Sequence, residues 1–444
     1  MRIQARLAPA LALLAGGCAH YTPAPLAAAS ALAPALPATT TPTPLGVEDV
    51  VALALARNPD LAAARTKLGV AQAQRVQAGV LPNPSLTGAL LPLVSGAGEV
   101  PAWNIGLAQD IKALLVYKPR VRSARAATAQ VRADLLWQEW QVAGQARQLA
   151  VDLIAREATR PLLDEAVRIL GRRNAGTQAA LAQGNATLVT AAPSVVGFQQ
   201  ARASLQTLDQ TQVQDRHKLN ALLGLTPEVV VPLQPAPQLP PFDIAGARAA
   251  IPTLPARRPD LLALRFGYLA QDETLRAAIL AQFPDLILGG SASSDSSRVI
   301  NAGPNAQLGL PLFDRNQGNV AIARATRAQL QAEYAARLAA TTGEVGALLG
   351  EMEQLQRQLA IVERDLPAAR SAAMRAAAAF SAAALDERAY VDLITNHFAK
   401  EQEVATLRLG LLDRQVAVST LLGLGLPGVT TLGLADPGTK GAAR

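Results

Sequence analysis

The side chains that most often carry chemistry are sparse in this sequence and do not cluster. His20, His217 and His397 are far apart and make no metal-ligand spacing, and there is no phosphate-binding loop of the GxxxxGK type. The sequence therefore predicts no catalytic residue, no metal site and no cofactor. One charged pair does have a structured spacing: Arg388 and Asp392 are four residues apart, on one face of a helix. As an exposed ion pair they would contribute only about 0.3–0.5 kcal/mol.

The single cysteine, Cys18, directly follows a stretch that is typical of an export signal. Arg2 and Arg6 give a positive start, residues 7–14 are apolar, and residues 15–17 are small. A lone cysteine cannot form an internal disulfide, and its position resembles that of the lipidated cysteine in bacterial lipoproteins. We therefore expect cleavage before Cys18, its acylation, and sorting to the outer membrane. A chance cysteine behind a plain signal peptide is the alternative.

The composition favours long helices over a large globular core. Hydrophobic residues make up 50% of the chain, but aromatic residues only 3% and charged residues 17%, and the apolar residues are mostly Ala and Leu. The net charge of +7 is spread thinly, without a Lys/Arg run interleaved with aromatics, which argues against nucleic-acid binding. Residues 18–46 are rich in Pro, Ala and Thr and are predicted to be a tether, with ordered structure beginning near Val47.

Two segments with an apolar period of 3.5 residues flank a break at 381–396. This period is typical of helices that supercoil around each other, so the break is interpreted as the tip of an antiparallel coiled-coil hairpin. Arg414 occupies one slot of the second segment. The apolar positions are Leu348, Met352, Leu355, Leu359, Val362 and Leu366 before the break, and Val404, Leu407, Leu411, Val418 and Leu421 after it.

An internal repeat covers nearly all of the chain after the tether. Ala56–Leu61 recurs as Ala256–Leu261, 200 positions on, and Leu222–Leu225 recurs as Leu421–Leu424 at an offset of 199. Each half is predicted to contain a helix, two strands, a long helix, a turn and a returning helix. The predicted segments are a signal peptide 1–17, the tether 18–46, a first repeat 47–225, a Pro-rich equatorial connector 226–253, a second repeat 254–425 and a tail 426–444.

The long helices are expected at 119–183 and 317–380. At about 1.5 Å per residue each would extend roughly 90 Å. Pro161 and Pro367 are candidate kinks within them.

Strand candidates come in pairs, at 84–93 and 103–112 and at 284–293 and 304–313. The second of each pair alternates, with Leu308, Leu310 and Leu312 on one side in the second half. Their length suits tilted strands that span a bilayer. Four strands cannot close a barrel, so strands that span a membrane would require several chains to assemble. The alternative is a pair of soluble hairpins, which would need no such assembly.

Three motifs carry a family resemblance over about residues 47–425. They are Ala56–Leu61, Ala78–Pro84 (AGVLPNP) and Leu310–Gly318 (LPLFDRNQG). With these motifs the chain resembles the TolC-like outer membrane factors, and in particular their heavy-metal (cobalt-zinc-cadmium) branch. The resemblance implies a mainly α fold of long coiled-coil hairpins in two tandem repeats. It also implies a homotrimer, in which four strands per chain form a twelve-stranded transmembrane β-barrel.

The same resemblance implies the function. The chain would be the outer membrane exit duct of a tripartite efflux pump, lipid-anchored and extending into the periplasm, where it passively conducts small solutes such as metal cations or drugs. Its partners would be a periplasmic adaptor, an inner-membrane proton-driven transporter and outer membrane lipid. Three alternatives remain: a TolC-type duct for protein secretion, a periplasmic coiled-coil structural lipoprotein, and a periplasmic adaptor, although no lipoyl-like β segments flank the hairpin.

The resemblance also implies roles for particular residues. In the family an Arg and an Asp four residues on help to close the periplasmic end, which makes Arg388 and Asp392 gate candidates; the family's further Asp is Thr395 here. The hairpin tips carry small, largely uncharged residues, which let another backbone approach closely. The candidate adaptor contacts are Gly184, Asn185, Ala383, Ala384 and Leu385.

Overall fold

The structure, a computed structural model, describes residues 21–36 and 44–426. The predicted signal peptide, Cys18, His20 and most of the predicted tail lie outside the described residues. The helices are α1 Val47–Arg57, α2 Pro59–Ala78, α3 Ile111–Ala182, α4 Leu188–Leu222, α5 Ile244–Ala250, α6 Leu254–Arg257, α7 Pro259–Leu280, α8 Gln317–Ser381 and α9 Glu387–Leu422, and the strands are β1 Ser85–Leu91, β2 Ala102–Asp110, β3 Asp285–Ser294 and β4 Ile300–Gly309.

The two predicted halves have the same order of elements. The first runs α2, β1, β2, α3 and α4, and the second runs α7, β3, β4, α8 and α9. In each half the two long helices pack side by side as an antiparallel hairpin. The prediction of a mainly helical fold with two tandem hairpins and four strands is therefore confirmed.

The first helix of each repeat begins at a proline, but the two starts are stabilised differently. Asn58 caps α2, because its Oδ1 accepts a hydrogen bond from the Leu61 amide at 2.9 Å, and Pro59 follows at the first helical position. At the equivalent position in α7, Arg258 turns its guanidinium to the side chain of Asp260. The two repeats thus share the backbone path at this helix start, but the side chain before the proline caps the helix in the first repeat and binds a carboxylate in the second.

The four strands form one antiparallel sheet in the order β1-β2-β3-β4. The pairing between β2 and β3, with Leu107 opposite Gly290, joins the two halves. Strands β1 and β4 are the outer strands, and every residue of both is exposed in the single chain.

The predicted position of β4 is wrong by four residues. The alternation of leucines predicts a strand at 304–313, but the strand runs from Ile300 to Gly309. The turn fixes this register, since the Asp295 carboxylate accepts hydrogen bonds from the amides of Ser297 and Val299 at 2.9 Å. Strand pairing therefore begins directly after the turn, and the leucines after residue 309 lie beyond the strand.

The long helices are continuous through their prolines. Helix α3 has 72 residues, or about 108 Å, and includes Pro119 and Pro161, while α8 has 65 residues and includes Pro367. Helix α3 begins at Ile111, eight residues before the predicted start, because the Asp110 side chain caps it at the Ala113 amide (3.0 Å). Among residues 21–36 and 44–426, none of the helices contains a stretch that is both long and apolar enough to cross a membrane.

The predicted seam between the last two helices matches the burial of their side chains. Met352 and Val362 on α8 and Val404 and Val418 on α9 are buried. Arg414, the one polar residue in a seam position, directs its Nε to a carboxylate oxygen of Glu351 across the hairpin, at 3.1 Å. The period of 3.5 therefore predicted the packed faces correctly.

The largest core lies about halfway along the long helices. There α1 and the connector pack around the middle of α3 and the end of α4. The N-terminal segment is fastened to this region at two points: Ala33 pairs with Leu225 and Leu45 with Leu233, and Leu45 is buried. This Pro/Ala-rich segment has too few large apolar residues to form a core of its own, but single apolar residues of it pack on the existing core. Part of the predicted tether is therefore ordered.

The repeated LLGL sequence ends the two returning helices. Gly224 and Gly423 both have positive φ (+64° and +68°), and each closes a Schellman-type turn, in which the Leu424 amide, for example, donates to the Ser419 carbonyl at 2.8 Å. Gly423 also packs directly on the buried Trp140, so that a Cβ at this position would lie 2.0 Å from the indole ring. Both backbone conformation and packing therefore require glycine at 423.

We predict that Gly423→Ala lowers the free energy of unfolding by about 2–5 kcal/mol, through left-handed backbone strain and the clash with Trp140. Gly425→Ala is the matched control, because Gly425 has a similar φ (+69°) but open space around it. The control should lose only about 1–2 kcal/mol. Thermal unfolding of the purified protein measures both, and equal losses would show that the Trp140 contact is unimportant.

Candidate functional site

The tips of the two hairpins have the same backbone structure. In each, a residue in the left-handed conformation follows the end of the long helix: Gly184 (φ +74°) after α3 and Ala383 (φ +56°) after α8. The next amide then donates back into the helix at 2.8 Å, from Asn185 to the Ala180 carbonyl and from Ala384 to the Ala379 carbonyl. The internal repeat thus extends to the tips at an offset of 199. Alanine in this conformation costs about 1–2 kcal/mol relative to a right-handed one.

The tips present small, uncharged surface. Gly184, Asn185, Ala383 and Ala384 are exposed, and Leu385 is half-buried. The turn of the second hairpin lies against α3 near Thr177, and α3 continues to Ala182. The structure thus places the predicted contact residues on two neighbouring tips, of which the first extends further.

Arg388 and Asp392 lie on one exposed face of α9, one turn after the second tip. The Arg388 Nε and an Asp392 carboxylate oxygen are 3.9 Å apart, and the side chains are 82% and 67% exposed. Within a single chain they therefore form a loose pair that contributes little to stability. Their charges remain available to another molecule.

Sequence reasoning missed a stronger contact, made by the residue directly before Arg388. The Glu387 carboxylate accepts hydrogen bonds from Arg173 Nε at 2.7 Å and from the Thr177 hydroxyl at 3.2 Å, and its side chain is only 14% exposed. The Arg173 guanidinium also lies over the Phe380 ring at 4.4 Å. We call Arg173, Thr177 and Glu387 the inter-hairpin clamp, because they tie α3 to the start of α9.

No local signal could have revealed this clamp. Arg173 and Glu387 are 214 residues apart and belong to different repeats. The clamp rests on a small apolar cluster, in which Leu170 of α3 packs against Val391 and Ile394 of α9. Its formation therefore depends on how the two hairpins pack, which spacing within one helix does not specify.

A second polar cluster joins α3, α4 and α9 further from the tips. Gln148 of α3 donates to Asp413 of α9 at 2.5 Å and to Asp152 at 3.5 Å. Arg156 lies 3.5 Å from Asp152 and also pairs with Asp215 of α4. Burial and then the nearby charge of Asp413 raise the pKa of Asp152 to about 6, and burial likewise raises the pKa of Asp413.

These shifts have a definite sign for stability. Because the pKa of Asp152 is higher in the folded than in the unfolded chain, the folded state binds the proton more tightly. The stabilising contribution of this group is therefore fully present below the unfolded pKa of 3.8 and is lost as the pH rises through about 6. At neutral pH the contact between α3 and α9 carries charge repulsion that protonation would remove.

We predict that Asp152→Asn, which mimics the protonated side chain, stabilises the protein at pH 7.5 by on the order of 1 kcal/mol, after discounting for solvent screening. The gain should shrink as the pH falls below about 6 and vanish near pH 4. Thermal unfolding across this pH range measures it, with Asp164→Asn, an exposed change on the same helix, as control. A gain that does not depend on pH would contradict the proposed origin.

The described histidines do not form a ligand set. The His397 Nε2 lies 3.7 Å from Glu401 on the same helix, and its ring packs beside Phe398. Within the part of the chain that the structure describes, no three His, Cys, Asp or Glu side chains come together as metal ligands.

Comparison with known proteins gives two kinds of match in sequence. Residues 250–424 match the model of the family described as outer membrane efflux protein. The cation efflux system protein CusC of Escherichia coli O157:H7 is 27% identical over 179 residues, which cover 38% of this chain and 39% of that protein. The outer membrane protein OprJ of Pseudomonas aeruginosa is 27% identical over 325 residues, which cover 70% of this chain and 64% of OprJ. The chain thus aligns with about two fifths of the length of CusC and just under two thirds of the length of OprJ.

Solved structures extend the match in fold to most of the chain. A crystal structure of CusC has a TM-score of 0.67 at 19% identity and covers 87% of this chain and 97% of that one. The CmeC outer membrane channel of Campylobacter jejuni has a TM-score of 0.71 at 17% identity and covers 86% of each chain. The arrangement of hairpins and strands is therefore that of these channels.

Proposed function

We propose that this chain, whose residues 250–424 match the outer membrane efflux protein family, is the outer membrane exit duct of a tripartite efflux pump. It conducts solutes passively and carries out no reaction. The observation that carries this proposal is the fold: two helical hairpins, each with one helix about 100 Å long, joined to a four-stranded sheet, as in the similar channels.

The exposed sheet supports a trimer in the outer membrane. Backbone groups in lipid need hydrogen-bond partners, and a single chain leaves the outer edges of β1 and β4 open. Three chains close these edges by pairing β4 of one with β1 of the next, which gives a twelve-stranded barrel. Exposed apolar side chains on the strands then face lipid. An acyl group on Cys18, detectable by intact mass, adds an anchor in the inner leaflet.

The gate in this proposal has two layers. The inter-hairpin clamp holds α9 against α3 within each chain. Arg388 and Asp392 are exposed at the start of the same helix. In this proposal they face the threefold axis, where three Asp392 carboxylates favour cations and Arg388 offsets their mutual repulsion.

We predict that Glu387→Gln raises the single-channel conductance in planar bilayers, because a neutral amide weakens the attachment of α9 to Arg173. Arg388→Ala and Asp392→Ala should also raise it, and Asp392→Ala should in addition lose cation preference. Glu403→Gln is the control, since Glu403 pairs with Lys400 within α9.

This experiment tests the two layers of the proposed gate independently. Wild-type conductance in Glu387→Gln removes the clamp from the gate, and wild-type conductance in both other variants removes the outer layer. If the wild-type protein forms no channel at all, the duct function itself is wrong.

The tips are the proposed contact with a periplasmic adaptor, which in turn joins an inner-membrane proton-driven transporter. Their small exposed residues let the adaptor backbone approach closely. Exposed Leu188 and Val189, just beyond the first tip, add apolar area to the same surface.

We predict that Ala383→Trp abolishes efflux-dependent resistance while trimers still form, because the indole blocks the approach of the adaptor. Ala383→Gly is the matched control: it keeps the tip small and relieves the left-handed strain, so resistance should be normal. Trimer assembly is checked by native electrophoresis. Normal resistance in Ala383→Trp would exclude this tip from the contact.

For the substrate we propose metal cations, as in the heavy-metal branch, with drugs as the second candidate. CusC is named a cation efflux system protein, and the predicted charge ring at Asp392 suits cations. Selectivity would lie in the transporter. A protein-secretion duct remains the competing role, and resistance to metal salts in a deletion strain distinguishes the two.

A further inference from the structure

A cavity of about 510 Å³ lies between α3, the start of α7, α8 and α9. Polar side chains from several helices form much of its wall. They include Gln141 and Gln145 of α3, Arg258 before α7, and Arg337, Thr341 and Glu344 of α8.

The most unusual wall residue is Arg258, whose side chain is only 3% exposed. Its Nε and Nη2 donate to the two carboxylate oxygens of Asp260 at 2.8 and 2.7 Å, and its guanidinium lies over the Trp137 ring at 4.6 Å. The remaining nitrogen, Nη1, is buried and has no hydrogen-bond partner among the described residues. A buried N–H group without a partner is costly, and one on a charged guanidinium especially so.

A second guanidinium lies beside this one. Arg337 comes within 3.7 Å of Asp260, too far for a hydrogen bond, and its side chain is 53% exposed. Two arginines thus approach the Asp260 carboxylate, whose charge also interacts with that of Asp134. N–H groups of both arginines remain for another acceptor. Gln141 and Gln145 of α3, which also line the cavity, can supply amide donors.

We propose that this cavity binds a small oxyanion, a carboxylate or a phosphate, between Arg258 and Arg337. Guanidinium groups recognise both ions through paired N–H groups. Glu344 opposes binding, but it lies two turns along α8 from Arg337, roughly 10 Å away, where solvent screens its charge. Asp260 opposes binding too, so the affinity is weak, with a Kd on the order of 1 mM.

The bound ion would connect the two halves of the chain, because α3 belongs to the first repeat and α7, α8 and α9 to the second. The site exists only in the second repeat, since Asn58 occupies the position equivalent to Arg258 and uses its side chain to cap α2. The inference does not depend on the proposed transport role.

The test uses the full-length protein in detergent, with inorganic phosphate as the probe at pH 7.5. Isothermal titration calorimetry should give saturable binding, and the thermal unfolding temperature should rise with phosphate but not with sodium chloride of equal ionic strength. A parallel titration with acetate shows whether a planar carboxylate binds as well as a tetrahedral ion.

Two substitutions locate the site. Arg337→Gln should weaken phosphate binding by about tenfold, whereas Arg357→Gln, an exposed change on the same helix, should have no effect. Arg258→Lys keeps the charge but loses the free edge of the guanidinium, and should weaken binding similarly. If that variant fails to assemble, Arg337→Gln alone decides. Absence of saturable binding to the wild-type protein, or equal binding by Arg337→Gln and Arg357→Gln, would overturn the proposal.

Discussion

The constraint on which the structure depends is that every backbone donor and acceptor in a sheet needs a partner. Strand β2 pairs with β3, which joins the two repeats, but the outer edges of β1 and β4 have no strand partner within the described residues. The long helices continue from these strands, and α3 starts at the very next residue after β2 because Asp110 caps it. In the proposed trimer, pairing with neighbouring chains would complete the sheet and so also fix where the helices lie around the axis.

The two repeats share a backbone but have diverged in chemistry. Asn58 and Gly184 in the first half satisfy their local backbone with a cap and a left-handed turn, as these residue types do best. In the second half Arg258 and Ala383 occupy the same positions. The second repeat thus gives up local stability at both sites, and a buried guanidinium with an unused donor appears at the first of them.

The three charged clusters described above differ in how exposed their side chains are, and this difference decides what each contributes. The Arg388–Asp392 pair is exposed and loose, so it contributes little to stability within one chain. The inter-hairpin clamp is mostly buried and hydrogen-bonded, which makes it a mechanical tie between hairpins. The Asp152–Asp413 pair is buried without enough positive charge, so its contact weakens as protons leave. Each of the three has a member on α9, but only the clamp and the Asp152–Asp413 pair link α9 to α3.

The sequence by itself determined the elements whose signals are local. The period of 3.5 located the packed faces of α8 and α9, and the paired strand signals located β1, β2 and β3 to within two residues at each end. Only the tertiary structure decided the register of β4, the continuity of α3 through Pro161, and the contact of Glu387 with Arg173. Local sequence patterns predict the backbone conformation of a residue and the face of the helix on which it lies. Contacts between residues 214 positions apart depend instead on how whole hairpins pack, and no spacing along the chain encodes that.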